Sequence, residues 1–468
     1  MILPEVAYIQ NQISNHISLF FNLKGKNLFE SGYIRFLPYE KAITTQDKVI
    51  AIPYDIEVPQ HQEKPYTVKF NNTKLTLWNG ISNPSENTWE AIPGDSAPLW
   101  YRNQHGTLIP AWNLYGNLFH LLTFAEEKGS TSTDSHGRFA AAFSPRLNYN
   151  LLEVPAFNEA VAAIVAAYAG LCENGYPFLN LNNILKPPVI VLSHDCDILR
   201  GNDIWTQTVR GVRIFLPLIR FRLPAINNIW WIIRNAFTPR RYYFDNAAGM
   251  VDLERCFGFS STFYLINGKG GRFGARSGFR IIPELLNHIP PGCDTGMHYN
   301  YDTFLNDKKF RAQLEQLTSI EDLKIVNGRA HYLKFDPEKS FTFIAKYGIY
   351  LDESSGYADR TGYRNGIAGC FQVYDTIQKR PLDIWELPMT IMDSMFVGQY
   401  CSQSINKFNQ LLYHLSCVGG ALSINFHPGQ FFNPEYKQLI GIYHKMLIES
   451  RILGAVSMTA RSLMDQIR

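Results

Sequence analysis

Five short stretches of this 468-residue chain carry side chains of the kinds that do hydrolytic chemistry. The first is Ser193-His194-Asp195-Cys196-Asp197, directly after the apolar run Val189-Ile190-Val191-Leu192. Polar groups where a buried strand leaves the core are costly without charge partners, a metal or water. The second, Gly296-Met297-His298-Tyr299-Asn300-Tyr301-Asp302, sets a histidine and a carboxylate four residues apart. In a helical turn that spacing faces both toward one ion. Gly328-Arg329-Ala330-His331-Tyr332 brings an arginine and a histidine. A glycine-rich loop, Gly356 to Gly366, bears Asp359 and Arg364, and Ile424-Asn425-Phe426-His427-Pro428-Gly429 puts a histidine at a strand end. Each is weak singly. In order, Asp-x-Asp, His-x3-Asp, Arg and His-Pro supply metal ligands, a general base, a charge orienter and a general acid.

Such groups must be held at the ends of regular elements. From residue 187 onward, short apolar stretches alternate with helical patterns. Strands are predicted at 189–193, 261–266, before 295–298, and at 323–329, 348–352, 385–393, 422–427 and 455–459. Helices are predicted at 307–317, 340–346, 404–417, 433–450 and 460–468. Alternation at this spacing predicts an α/β fold, a parallel barrel or a related wound sheet, which builds its site at the C-terminal strand ends. Residues 1–145 read as a separate α+β or mainly β unit, with strand-like YIRFLPY, KVIAIPY, YTVKF and TKLTLWNG. A helix is predicted over Leu114–Glu127, with His120 as a packed core histidine, and a loop over 128–139. Residues 146–186 form a connector around the alanine-rich helix 157–172.

Composition bounds the partners. The length suggests two or three domains. The formal net charge of +3 is too small to point to nucleic acid. Seven cysteines without a CxxC pair argue against a disulfide framework or a structural zinc site and for a reducing compartment. The first residues lack a signal-peptide pattern, and no run of about 18 apolar residues is present, so a cytoplasmic protein is expected. Residues 200–245 interleave eight arginines with Ile, Leu, Phe and Trp230-Trp231, without a lysine. Two readings stay open: an interfacial segment touching the inner face of the membrane, or an insertion packed on the barrel with its arginines solvated. Pro217 and Pro224 break any long helix there.

The ordered set SHDCD, STFYLI, GMHYNYD, GRAHY, ELPMTIMD and LSINFHP resembles the polysaccharide deacetylase family (carbohydrate esterase family four). It looks most like the bacterial branch with an extra N-terminal domain, associated with surface-polysaccharide gene clusters. The resemblance covers about 187–468, and HLLTFAEE…DSHGRF is similar to the segment before the barrel in that branch. It implies a distorted (β/α)7 barrel preceded by a smaller α+β domain. It also implies a metal-dependent hydrolase, with zinc or another divalent ion, that removes N-acetyl or O-acetyl groups from a sugar of a bacterial surface polysaccharide or its lipid-linked precursor. Carried over by position, Asp195 is the general base, Asp197 and His298 are metal ligands, His427 is the general acid, and Arg329 holds the base. Asp302 stands where the family carries a second histidine, so it is a third ligand or lies outside the ion's shell. Cys196, between the two aspartates, is expected to point away from the ion. Glu386 and Asp393 are both open as the partner of His427. The alternative is a barrel that has lost catalysis and binds glycan or a partner protein; the joint presence of Asp195, Asp197, His298 and His427 argues against it.

Overall fold

The computed structural model describes residues 3–58, 64–70, 72–92, 97–128, 130–172, 181–197, 242–268, 273–274, 279–396, 404–430 and 437–468, with the isolated positions 208, 211–212, 216 and 233. The arginine-rich stretch at 200–245 therefore falls almost wholly outside the described residues.

The first element is one that the strand-like reading of residues 1–145 does not include, a helix over Pro4–Phe20. Proline is preset for the first helical position, and Glu5 suits the positive N-terminus. Val6, Ile9, Ile13, Ile17 and Phe20 recur at three- and four-residue spacing and are all buried. They join the main core with the helix Ala156–Cys172 and with Ile190 and Leu422 of the large sheet.

Seven strands follow in the first part: β1 (Ile34–Leu37), β2 (Ile50–Pro53), β3 (Tyr66–Phe70), β4 (Thr73–Leu77), β5 (Trp89–Ile92), β6 (Trp100–Asn103) and β7 (Leu108–Pro110). Five of them form a sheet in the order β1-β2-β7-β6-β5, and β3 and β4 pair as a separate antiparallel hairpin. The alternation of that hairpin buries Val68, Phe70, Leu75 and Leu77.

The second part carries β8 (Val189–Cys196), β9 (Ser261–Leu265), β10 (Asp294–Tyr299), β11 (Asn327–Ala330), β12 (Leu351–Asp352), β13 (Phe371–Asp375), β14 (Arg380–Glu386), β15 (Ile391–Met392), β16 (Ala421–Asn425) and β17 (Val456–Ser457). They form one curled sheet in the order β13-β14-β12-β11-β10-β9-β8-β16-β15, with β17 beside the start of β8. Every pairing is parallel except β13 with β14. The fold is mixed α/β. One stretch of chain serves both ends of the path. Leu387 N donates to Asp352 O of β12 (2.9 Å), and three residues on Thr390 N donates to Ser423 O of β16 (3.1 Å). The single strand expected at 385–393 is thus two short strands split between two neighbours, and β13 is an addition to the expected set.

β8 is buried along its whole length. Its uninterrupted apolar start suits a parallel strand covered on both faces. Helices pack outside it, including Tyr242–Cys256, Ser404–Val418 and Lys437–Ile452. Because the strands run parallel, the C-terminal ends of β8, β10, β11, β12 and β16 meet on one edge.

Candidate active site and metal centre

Residues two apart on a strand share a face, so Ser193, Asp195 and Asp197 point one way and His194 and Cys196 the other. On the first face Asp195 is 3 % exposed. Its Oδ1 accepts from Arg329 Nη1 and its Oδ2 from Asn425 Nδ2, each at 2.9 Å. Arg329 comes from the neighbourhood of β11 and is fully buried. Its Nη2 donates to Ser193 Oγ (2.8 Å) and to Glu353 Oε2 (2.9 Å), its Nε donates to the Glu353 carbonyl (3.1 Å), and its guanidinium stands 4.6 Å over the Tyr264 ring. Burial raises the Asp195 pKa, but Arg329, then His298 and His427, outweigh it and hold the carboxyl below its ordinary range.

Asp197 sits at the open end of that face. Its Oδ1 lies 3.0 Å from His298 Nε2 and 3.5 Å from His331 Nε2. The ligand atoms of these three side chains lie within 4.8 Å of one another. His298 is fixed by the carbonyl of Arg329, 3.0 Å from Nδ1. An imidazole that donates from Nδ1 presents a lone pair at Nε2. His298 Nε2 and Asp197 Oδ1 are both buried, and they face each other, with His331 Nε2 and Asp195 Oδ2 as their further polar neighbours. A neutral imidazole facing a carboxylate calls for a cation between them, a metal ion or a proton. One carboxylate oxygen with two imidazole nitrogens is a donor set that suits zinc and keeps a position open. The residues fit a metal. In its absence burial pulls His298 down in pKa, while Asp195 and Asp197 outweigh burial and hold it protonated above its ordinary range.

His427 closes the site from β16. Its Nδ1 lies 2.9 Å from Asp393 Oδ1, and its backbone N–H donates to Asp393 Oδ2 at 2.8 Å. The ring is thus turned so that Nε2 faces Asp195 Oδ2 (3.8 Å) and Asp197 Oδ2 (3.6 Å). Burial lowers its pKa, but Asp393 first and then Asp197 and Asp195 lift it to about 10. Of the two acids left open by the sequence, Asp393 is the one beside His427. Glu386 lies elsewhere: its Oε1 accepts from Ser355 N at 2.8 Å, and burial together with Asp352 pushes its pKa well above the carboxylate range.

The opposite face of β8 does different work. His194 Nε2 lies 2.8 Å from Glu254 Oε1, and its Nδ1 lies 2.8 Å from the carbonyl of Phe426, the residue before His427. Tyr443 Oη and Ser261 Oγ also donate to Glu254. This buried cluster fixes the backbone that carries His427.

Asp195, Asp197, His298, Arg329 and His427 meet in space; Asp302 does not join them. Its carboxylate accepts from Lys309 Nζ at 2.9 Å in the short turn after β10. His298 belongs to β10 itself, so the two do not share a helical turn, and the spacing argument that joined them fails. The third side chain that faces Asp197 and His298 is His331, at the end of the adjacent strand. His298 and Arg329 are register partners across β10 and β11, and His331 follows two residues on, on the same face as Arg329. The signal was present in Gly-Arg-Ala-His-Tyr, but neighbouring strands cannot be recognised from sequence distance alone.

No family model matches the chain, and no curated protein matches it. Nine solved chains do match by structure. One, described as a polysaccharide deacetylase of Mycobacterium smegmatis, has a TM-score of 0.38 at 14% identity, over 60% of this chain and 89% of the other. A second, from Bordetella bronchiseptica, is described as a polysaccharide deacetylase involved in O-antigen biosynthesis; its TM-score is 0.28 at 12% identity, over 59% of this chain and 88% of the other. A third is a mutant CE4-family pseudoenzyme with restored enzymatic activity, with a TM-score of 0.28 at 11% identity, over 60% and 69%.

Proposed function

We propose that this chain is a metal-dependent deacetylase of the polysaccharide deacetylase type, acting on an N-acetylated (or O-acetylated) sugar of a surface glycan or its lipid-linked precursor. The observation that carries the reading is the convergence of the ligand atoms of Asp197, His298 and His331 within 4.8 Å, set beside a carboxylate held ionised by Arg329. On this reading the curled sheet closes through the stretch 380–392 into a seven-membered (β/α) barrel.

Asp197, His298 and His331 would hold the ion. A divalent ion held there would supply Lewis-acid polarisation of the acyl carbonyl and a lowered pKa for the attacking water. The protein's own groups do the proton chemistry. Asp195 Oδ2 takes the proton of the attacking water, while Oδ1 stays locked on Arg329 and Asn425 sets the direction of Oδ2. His427 Nε2 gives its proton to the leaving nitrogen as the carbon–nitrogen bond breaks. Asp393 keeps the ring oriented and its Nδ1 proton in place. The products are acetate and a free amine.

The test has two arms. Purified protein supplemented with zinc is expected to hold one ion per chain, and to lose it in Asp197→Ala and His298→Ala. Acetate release from N-acetyl-hexosamine glycans and lipid-linked sugars is expected to depend on Asp195. Metal-free protein after supplementation, or equal release by wild type and Asp195→Asn, would sink the reading.

A further inference from the structure

We propose that the loop 134–138 of the first part of the chain builds, together with Tyr332 and Asp359, a binding subsite for a second pyranose ring of the same glycan, next to the metal centre. This rests on the deacetylase reading above and adds a sugar-recognition surface to it.

The loop is prefolded. Asp134 Oδ1 accepts from the backbone N–H groups of His136 (2.8 Å) and Arg138 (3.0 Å), and its Oδ2 accepts from Arg138 Nε (2.8 Å). Arg138 Nη1 then donates to the carbonyl of Tyr332 at 2.5 Å. The loop therefore reaches across to the far part of the chain and grips the residue that follows the metal donor His331. Tyr332 itself has a left-handed backbone, with φ of 61°, and so does Leu333, with φ of 51°. Two successive non-glycine residues in this region are strained. The Tyr332 ring is 39% exposed, and its centroid is 4.6 Å from that of His331.

The His136 ring lies 4.8 Å from the Tyr332 ring at a tilt of 37°, with Tyr301 and Phe273 around it. Aromatic faces of this kind suit the C–H face of a pyranose, which is apolar on its flat side and polar at its rim. The rim has partners as well. Beyond Arg138 lies a cleft of about 150 Å³ whose lining includes Asp134, Arg138, Leu333 and Asp359. Asp359 is exposed there, with acceptor oxygens for sugar hydroxyls. An aromatic shelf that starts one residue from His331, beside a carboxylate-lined cleft that takes in Leu333, has the chemistry of a sugar subsite. A short acyl substrate has no use for either.

The experiment compares triacetylchitotriose with an aryl acetate too short to reach the cleft. In His136→Ala and in Asp359→Ala, the ratio of kcat/KM for the trisaccharide to that for the aryl acetate should fall about tenfold, carried by KM, as loss of one aromatic contact implies. His136→Phe keeps a flat ring and should retain most of the ratio. Binding of the trisaccharide, followed by saturation-transfer NMR, is read in the same proteins. Hydrolysis with an unchanged ratio overturns the subsite and leaves the deacetylase reading standing. Trisaccharide binding that His136→Ala abolishes, without hydrolysis of either substrate by wild type, upholds the subsite and overturns the deacetylase reading. Absence of trisaccharide binding to wild type overturns the subsite.

Discussion

Two clusters of buried charge among the described residues are built to opposite specifications. One joins the two parts of the chain. Glu126 takes Arg146 through Nη2 (2.6 Å) and Nε (3.1 Å), and the same guanidinium donates to the carbonyls of Tyr363 and Arg364. Next to it Glu127 takes Arg364 by two parallel bonds of 2.7 and 2.6 Å, and Arg364 Nη1 donates to the Gly356 carbonyl. Both arginines spend their donors on carboxylates and carbonyls, so the cluster fastens the chain after the Leu114–Leu122 helix to the glycine-rich loop 356–366. The other cluster, at the strand ends, is half of this kind. Arg329 saturates Asp195 and Glu353 in the same way, but Asp197, His298 and His331 turn their ligand atoms on one another. A saturated buried cluster acts as a fastener. A cluster whose ligand atoms converge within 4.8 Å is shaped for something absent from the chain itself.

Breaking the second cluster should abolish chemistry and spare the fold. Asp195→Asn should lower turnover by about 10²–10⁴-fold, as loss of a general base does, with an unchanged circular dichroism spectrum and metal content. His331→Ala should lose bound zinc, whereas Asp302→Ala should keep it; elemental analysis of the two proteins side by side decides the third donor. If Asp302→Ala loses the ion and His331→Ala does not, the geometric assignment is wrong.

Breaking the first cluster should do the reverse. Glu127→Gln strands the buried Arg364 guanidinium and should cost about 3–5 kcal/mol of stability, read by denaturant unfolding. The zinc content of the fraction still folded should be unchanged. Loss of metal in this variant would mean that the two clusters are not separable.

The strand-end residues were readable because each stands at the end of an apolar run, and parallel strands gather such ends on one edge. Asp195, Asp197, His298, Arg329 and His427 meet for that reason. The place of His331 beside Asp197 and His298 was not readable, since it depends on the register of β10 against β11, which sequence separation does not encode. The Pro4–Phe20 helix shows the converse. Its apolar spacing is plain in the sequence, yet the β-like pieces that follow draw the eye to a strand-rich unit. Arg364 stands out in the sequence as a chemical group in a glycine-rich loop, but its partner Glu127 lies 237 residues away and only the fold brings them together.

A third buried set tests how far the comparison extends. Glu386 and Asp352 are both buried acids, close to Glu353, and among the described residues neither shares the ion pair that Glu353 makes with Arg329. Burial, then Asp352, raises Glu386 well above the ordinary carboxylate value. The pair is therefore best satisfied by a proton held between its members, which makes it a fastener of neutral type. Glu386→Gln keeps the shape and supplies a fixed donor toward Asp352, so at low pH it should change stability by less than about 1 kcal/mol. The pH dependence then separates the proteins. A raised folded pKa means that the folded state keeps a proton that the unfolded chain has released. The stabilising effect of that proton is complete below the unfolded value of about 4.3 and is lost as pH rises toward the folded value. The variant carries no such proton. Its stability relative to wild type should rise with pH above that point, by at most about 1.4 kcal/mol per pH unit. Urea unfolding of both proteins at a series of pH values from 4 upward reads this directly. A flat difference across the series would mean that Glu386 is ionised in the fold and takes its counter-charge from elsewhere.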